Sequence, residues 1–139
     1  MPPLRTYNLF ISHSWKYSDD YDRLVNLLNG AMNFRWKNYS VSVDNPLTGG
    51  SKKKLAEEIT SQIRLASVVL IISGMYVTYR KWIQFEIDLA DKFEKPIVGI
   101  QPWRSINTPA AVTRSAAVVV AWNTNSIVNA IRANARRDY

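Results

Sequence analysis

The sequence predicts one α/β domain in which a parallel sheet is covered by helices on both faces. Five strand-like runs alternate with segments of helical periodicity over 139 residues. Runs such as Val68–Ile72 are apolar throughout, which is typical of strands buried on both faces of a parallel sheet. The composition, 47% hydrophobic and 21% charged, can supply one sizeable core. No internal repeat or linker divides the chain, so residues 1–139 are expected to form a single domain with a core at about 7–132.

The first half of the chain predicts two strands and two helices. Tyr7–Ser12 has the composition of a short buried strand, and Tyr39–Val43 is alternating and β-branched. Between them, one helix face carries Tyr21, Leu24, Val25 and Leu28. Residues 44–50 contain enough turn formers to make a loop, and Ser51 can cap the helix that follows. The inner face of that helix carries Leu55, Ile59 and Ile63.

The second half predicts three strands and two helices. The strands are Ser67–Ser73, Ile97–Ile100 and Ala116–Ala121. A helix over Arg80–Phe93 ends near Pro96, whose ring cannot continue a helix, and Asn123 or Thr124 can cap a final helix. We expect the flavodoxin-like strand order 2-1-3-4-5. In such doubly wound sheets, ligands bind beyond the carboxyl ends of the strands, here between strands one and three.

Composition excludes several classes of site. Cysteine is absent, so there is no disulfide framework and no thiolate nucleophile, and a cytoplasmic location is the default expectation. No apolar run approaches the roughly 20 residues of a membrane-spanning helix. The net charge of +7 would suit an anionic partner, but Lys52–Lys54 and Arg132–Arg137 have no interleaved aromatic platform of the kind that nucleic-acid binders use. Lys52–Lys54 are either solvated residues of a helix start or a field that attracts a phosphate-bearing ligand.

Glu86 is the most informative residue of the chain. It shares one face of the predicted helix with Trp82, Leu89 and Phe93, an unusual place for a carboxylate. None of the residues three or four positions away can form a salt bridge with it. The carboxylate therefore either meets a partner from elsewhere in the fold or faces a cleft.

The order and spacing of five sequence blocks resemble those of a TIR domain. The resemblance is closest to the short bacterial TIR-like proteins of the Thoeris antiphage type, and it runs from about Tyr7 to Arg132. The blocks are Tyr7–Ser14, Tyr39–Asp44, Ala66–Ser73, Lys81–Glu86 and Lys95–Ile100.

The resemblance implies an NAD⁺-cleaving enzyme. Such enzymes release nicotinamide and form ADP-ribose or a cyclic or conjugated ADP-ribose product, which in Thoeris defence serves as a signal. NAD⁺ would be the substrate, with no further cofactor. By family position, Glu86 matches the catalytic glutamate. The expected substrate-binding residues are Ser12, His13, Trp15, Asp44 and Trp82 by family position, and Ser73 by its place at the end of strand three.

The resemblance also implies partners. A phage-derived trigger, a separate effector protein and self-assembly through TIR–TIR contacts are expected, without membrane binding. The alternative is a non-catalytic TIR adaptor that acts by protein–protein contact, because fold alone does not determine function.

Several candidate residues also have an ordinary structural interpretation. Trp82 can be a core aromatic, Asp44 an Asx-turn residue, and Ser73 a hydrogen-bonding group at a strand end. His13 is the sole histidine, which argues against a metal site, and it is either a polar pocket group or a loop hydrogen-bonder. A single carboxylate suffices for NAD⁺ chemistry in principle, because nicotinamide leaves as a neutral molecule and needs no general acid, unlike the leaving group of an ordinary glycoside.

Overall fold

The computed structural model describes residues 5–12, 18–41, 51–72, 80–101 and 115–135. The strands are β1 (Thr6–Ile11), β2 (Arg35–Asn38), β3 (Val68–Ile72), β4 (Ile97–Gln101) and β5 (Val118–Ala121). The helices of the described residues are α1 (Ser18–Asn29), α2 (Ser51–Leu65), α3 (Arg80–Lys92) and α4 (Thr124–Asn134). None of these helices has the length and apolar character needed to cross a bilayer.

The sheet is parallel throughout, and its order is β2-β1-β3-β4-β5. The predicted doubly wound, flavodoxin-like topology is therefore confirmed. Right-handed crossovers place helices on opposite faces when the direction of winding reverses after β2. In agreement with this, α1 packs with α4, and α2 packs with α3.

The core is centred on β3. All five of its residues are fully buried, because β1 and β4 pair with its two edges and helices cover both faces. On β1, the three residues that end the strand are likewise fully buried. Helix residues that the spacing predicted to face the core are fully buried, namely Leu24, Leu28, Ile59 and Ile63, and α4 adds Ile127 and Ile131.

The predicted position of the second strand is wrong. We expected Tyr39–Val43, whereas the strand that pairs with β1 is Arg35–Asn38, and residues 42 and 43 lie outside the described part. The Asn38 side chain accepts a hydrogen bond from the Ser40 N–H (2.9 Å), a local turn that ends the regular ladder. The Ser40 hydroxyl accepts from the Ile11 N–H (3.0 Å), where a strand would offer a carbonyl.

Arg132 has a structural role. Its guanidinium donates a hydrogen bond to the Asn33 carbonyl (2.8 Å) and lies 5.7 Å from the centre of the Phe34 ring. Phe34 in turn stacks on Tyr7 of β1, with ring centroids 5.4 Å apart. This end of the basic cluster thus holds α4 against the start of β1 and β2. Lys53 and Lys54 are exposed on α2.

The N-terminus of α4 is capped by Asn123, one of the two predicted residues. Its side-chain oxygen accepts a hydrogen bond from the Ser126 N–H (3.1 Å), and its backbone is extended, as capping requires. Thr124 is the first helical residue.

Substituting the cap tests this assignment. Asn123→Ala should lower the free energy of unfolding by about 1 kcal/mol, because it leaves a helical N–H without its acceptor. Asn123→Asp should retain most of the stability. Asn125→Ala, an exposed substitution in the same first turn, is the matched control. Urea unfolding measures all three, and equal losses for the two alanine variants would contradict the assignment.

Candidate active site

Ser12 is fixed at the carboxyl end of β1. It directly follows the strand, and its backbone N–H donates a hydrogen bond to the Leu70 carbonyl of β3 (2.9 Å). The residue is only 2% exposed. Ser12 therefore occupies the point between β1 and β3 where the winding direction changes, which is the ligand-binding position of doubly wound sheets.

Glu86 reaches the same point from α3. The helix buries Ile83, Ile87 and Ala90, and this face brings the carboxyl group toward the sheet. Glu86 is 2% exposed, and the Ser12 hydroxyl donates a hydrogen bond to its Oε1 atom at 2.5 Å. Of the two outcomes that the sequence left open, the structure shows a partner from elsewhere in the fold.

Burial dominates the electrostatics of Glu86. Desolvation raises the pKa of its carboxyl from 4.5 to about 8, and the Ser12 hydrogen bond opposes this by favouring the charged form. At pH 7 the carboxyl is consequently mostly protonated. A buried carboxyl with a strongly raised pKa at a ligand-binding position is a typical feature of functional sites.

The side chains of the other predicted site residues lie outside the described part of the structure. His13, Trp15, Asp44 and Ser73 lie outside the described residues. Trp82 lies on α3, one turn before Glu86, and its side chain is outside the described part. Their assignments, like the catalytic role of Glu86, stay predictions. Among the described residues, no group of three or more His, Cys, Asp or Glu side chains could hold a metal ion.

The direct pairing of Ser12 with Glu86 was not predicted. The sequence predicts that Ser12 lines a nucleotide pocket, and it leaves open whether Glu86 meets a distant partner or faces a cleft. The available signal was that a serine ends a buried strand next to the switch point, while a carboxylate lies on the buried face of the helix that follows the third strand. These two observations predict proximity, although they do not predict which atoms meet.

Comparison with known protein families decides the relationship of this chain. The model of the family described as Thoeris protein ThsB, TIR-like domain, matches residues 10–107, more than half of the chain. The chain belongs to this family. No match was found among curated protein sequences.

This Thoeris TIR-like chain is similar to solved structures at low sequence identity. The CMP N-glycosidase BcmB of Clostridium botulinum is 12% identical with a TM-score of 0.54, over 90% of this chain and 98% of that one. A 3-dehydroquinate dehydratase-like protein from Bifidobacterium longum is 8% identical with a TM-score of 0.49, over 92% and 94%. At 12% identity, the similarity to the N-glycosidase extends to the fold alone.

The pKa of Glu86 predicts a specific pH dependence of stability. Because the folded-state pKa is raised, the contribution of Glu86 to the free energy of unfolding is fully present below pH 4.5 and is lost as the pH rises through about 8. The wild type should therefore lose up to about 5 kcal/mol relative to Glu86→Gln across this window.

Urea unfolding of both proteins between pH 4 and pH 9 measures this difference. Glu58→Gln, which alters an exposed carboxylate on α2 and leaves Glu86 in place, is the matched control. A difference between wild type and Glu86→Gln that does not change with pH would contradict the assignment.

Proposed function

We propose that this Thoeris TIR-like protein cleaves NAD⁺ between nicotinamide and ribose, with Glu86 as the catalytic carboxylate. One observation carries the proposal. Among the described residues of α3, Glu86 is the buried carboxyl, and it lies at the switch point of the sheet with a hydrogen bond from Ser12. The chain belongs to the Thoeris TIR-like family.

The chemistry needs only a single carboxylate. The nicotinamide nitrogen is cationic in NAD⁺, so the bond to C1′ breaks without protonation of the leaving group. Positive charge then develops on the ribose. An ionised Glu86 would stabilise that charge electrostatically, and the effect is strong where water is excluded.

A raised pKa is compatible with this role. Burial holds Glu86 mostly neutral in the free protein at pH 7. The positive nicotinamide ring would lower the pKa of a carboxyl beside it, so substrate binding itself would favour loss of the proton. A neutral dihydronicotinamide would provide no such assistance.

Glu86→Gln tests the catalytic role. The variant keeps the shape of the side chain and removes its charge, so nicotinamide release from NAD⁺ should fall by at least about 10²-fold. Chromatography of nicotinamide measures it, with Glu58→Gln as the control that retains activity. Equal release by wild type and Glu86→Gln would contradict the assignment. Absence of release from the wild type, with phage components present, would favour the adaptor alternative.

A second candidate reaction follows from the same pKa. A neutral carboxyl at pH 7 is suited to act as a general acid, and the fold is shared with an enzyme described as a CMP N-glycosidase. Cleavage of a pyrimidine nucleotide releases a base that must accept a proton, which a protonated Glu86 could donate. The two reactions therefore require opposite protonation states of one residue.

The pH dependence of kcat/KM separates the two reactions. For NAD⁺ cleavage it should rise as the pH passes through about 8, because the reactive form is ionised. For CMP cleavage it should fall over the same range. Assays of both substrates from pH 6 to pH 9.5 measure the sign, and a flat profile for each would remove Glu86 from either reaction.

The wider role is proposed from family membership. The product would be an ADP-ribose-derived signal formed in the cytoplasm, which activates a separate effector in antiphage defence. A phage-derived trigger and self-assembly belong to the same proposal. Mass spectrometry of products formed from NAD⁺ in the presence of phage components tests the identity of the signal.

A further inference from the structure

We infer that Ser12 is a positioning residue for Glu86, which holds the carboxyl in one orientation and stabilises its charged form, and not a residue that binds substrate. The inference deepens the proposed function and rests on it for its catalytic consequence. Its structural part concerns only Ser12 and Glu86, and it can be tested without any substrate.

Ser12 cannot move independently of the sheet. Its N–H is bonded to Leu70 of β3, and the residue directly continues β1. The hydroxyl donates to Glu86 Oε1 at 2.5 Å, within the range of charge-assisted O–H···O⁻ bonds. The hydroxyl hydrogen of Ser12 is thereby committed to Glu86, and both residues are only 2% exposed.

The bond leaves one carboxyl oxygen available. Within the described residues, Ser12 provides the hydrogen bond to the Glu86 carboxyl, and it reaches Oε1. The Oε2 atom is then the one that would face the ribose. A carboxyl held by one oxygen cannot rotate freely about its last torsion, so Ser12 would preorganise the group for the developing charge.

No charged side chain among the described residues can replace Ser12 in orienting the Glu86 carboxyl. The described strands β1, β3 and β4 contain no Asp, Glu, Lys, Arg or His. Tyr7 lies near the amino end of β1, whereas Ser12 follows its carboxyl end. The charged side chains described on α2 and α3, apart from Glu86, are exposed: Lys53, Lys54, Glu57, Glu58, Arg64, Asp88, Asp91 and Lys92. Among the described residues, burial and the Ser12 hydroxyl are thus the influences on the protonation of Glu86, the first raising its pKa and the second lowering it.

The chain provides an internal control in Ser67. This serine is also completely buried, directly before β3 at the amino end of the strand, and its hydroxyl has no hydrogen-bond partner among the residues that the structure describes. Ser67→Ala removes one hydroxyl group from a buried serine, as Ser12→Ala does. It does so without touching Glu86.

Carbon-13 NMR of the glutamate Cδ atoms tests the inference directly. The chain contains four glutamates, so the Glu86 signal is identified by its absence in Glu86→Gln. Its titration midpoint should lie near pH 8 in the wild type and move upward by about one pH unit in Ser12→Ala, because the bond that favours the charge is lost. Ser12→Thr should restore the wild-type midpoint, and Ser67→Ala should leave it unchanged.

Two outcomes would overturn the inference. One is an unchanged midpoint in Ser12→Ala, and the other is an equal shift in Ser67→Ala. Should Ser12→Ala fail to fold, Ser12→Cys keeps the volume with a weaker donor and should shift the midpoint in the same direction. No shift in that variant would be equally decisive.

An activity assay separates this inference from the proposed function. If the wild type cleaves NAD⁺, Ser12→Ala should lose about ten-fold in kcat/KM at pH 7 and recover part of the loss at pH 9.5, because more Glu86 is then ionised. A loss that is the same at both pH values would contradict a positioning role. If the wild type cleaves nothing, the proposed function fails, while the NMR titration still decides the role of Ser12.

Discussion

The hydrogen bond from the Ser12 hydroxyl to the Glu86 carboxyl joins two elements separated by 74 residues along the chain. Three constraints meet at this bond. The sheet fixes Ser12 through Leu70, α3 directs Glu86 inward with its apolar neighbours, and the exclusion of water makes the carboxyl reluctant to ionise. A buried carboxyl is costly to retain for stability alone, because an apolar residue of similar size would pack there without a desolvation penalty. Its presence is therefore better explained by function than by folding.

Much of the fold could be predicted from local patterns. The apolar run of β3 and the spacing of α2, α3 and α4 determine burial by periodicity, and the alternation of elements determines the topology. The second strand was misplaced because Tyr39–Val43 has the better strand composition. The Tyr39 N–H still bonds to the Leu9 carbonyl, but the Ser40 N–H then bonds to the Asn38 side chain, and the regular ladder ends there. Composition carries no information about such a competing bond.

The site was predicted less completely for a physical reason. The buried position of Glu86 follows from helical spacing, and its neighbours on the helix leave two alternatives, a distant partner or a cleft. That Ser12 is this partner depends on the strand order and on the exact end of β1, both of which are long-range properties. The pKa likewise depends on how closely the surrounding elements exclude water. Neither property is encoded within any short window of sequence.

The edge strand β2 has a consequence for behaviour at high concentration. It is four residues long, it lies at one end of the sheet, and it carries Arg35 and Lys37, both exposed. An open strand edge invites pairing with the edge of another molecule, the first step of amyloid-like aggregation. Two such edges brought together would align like charges at close range along a very short ladder. The short length and positive charge of β2 thus disfavour the addition of further strands at this edge of the sheet.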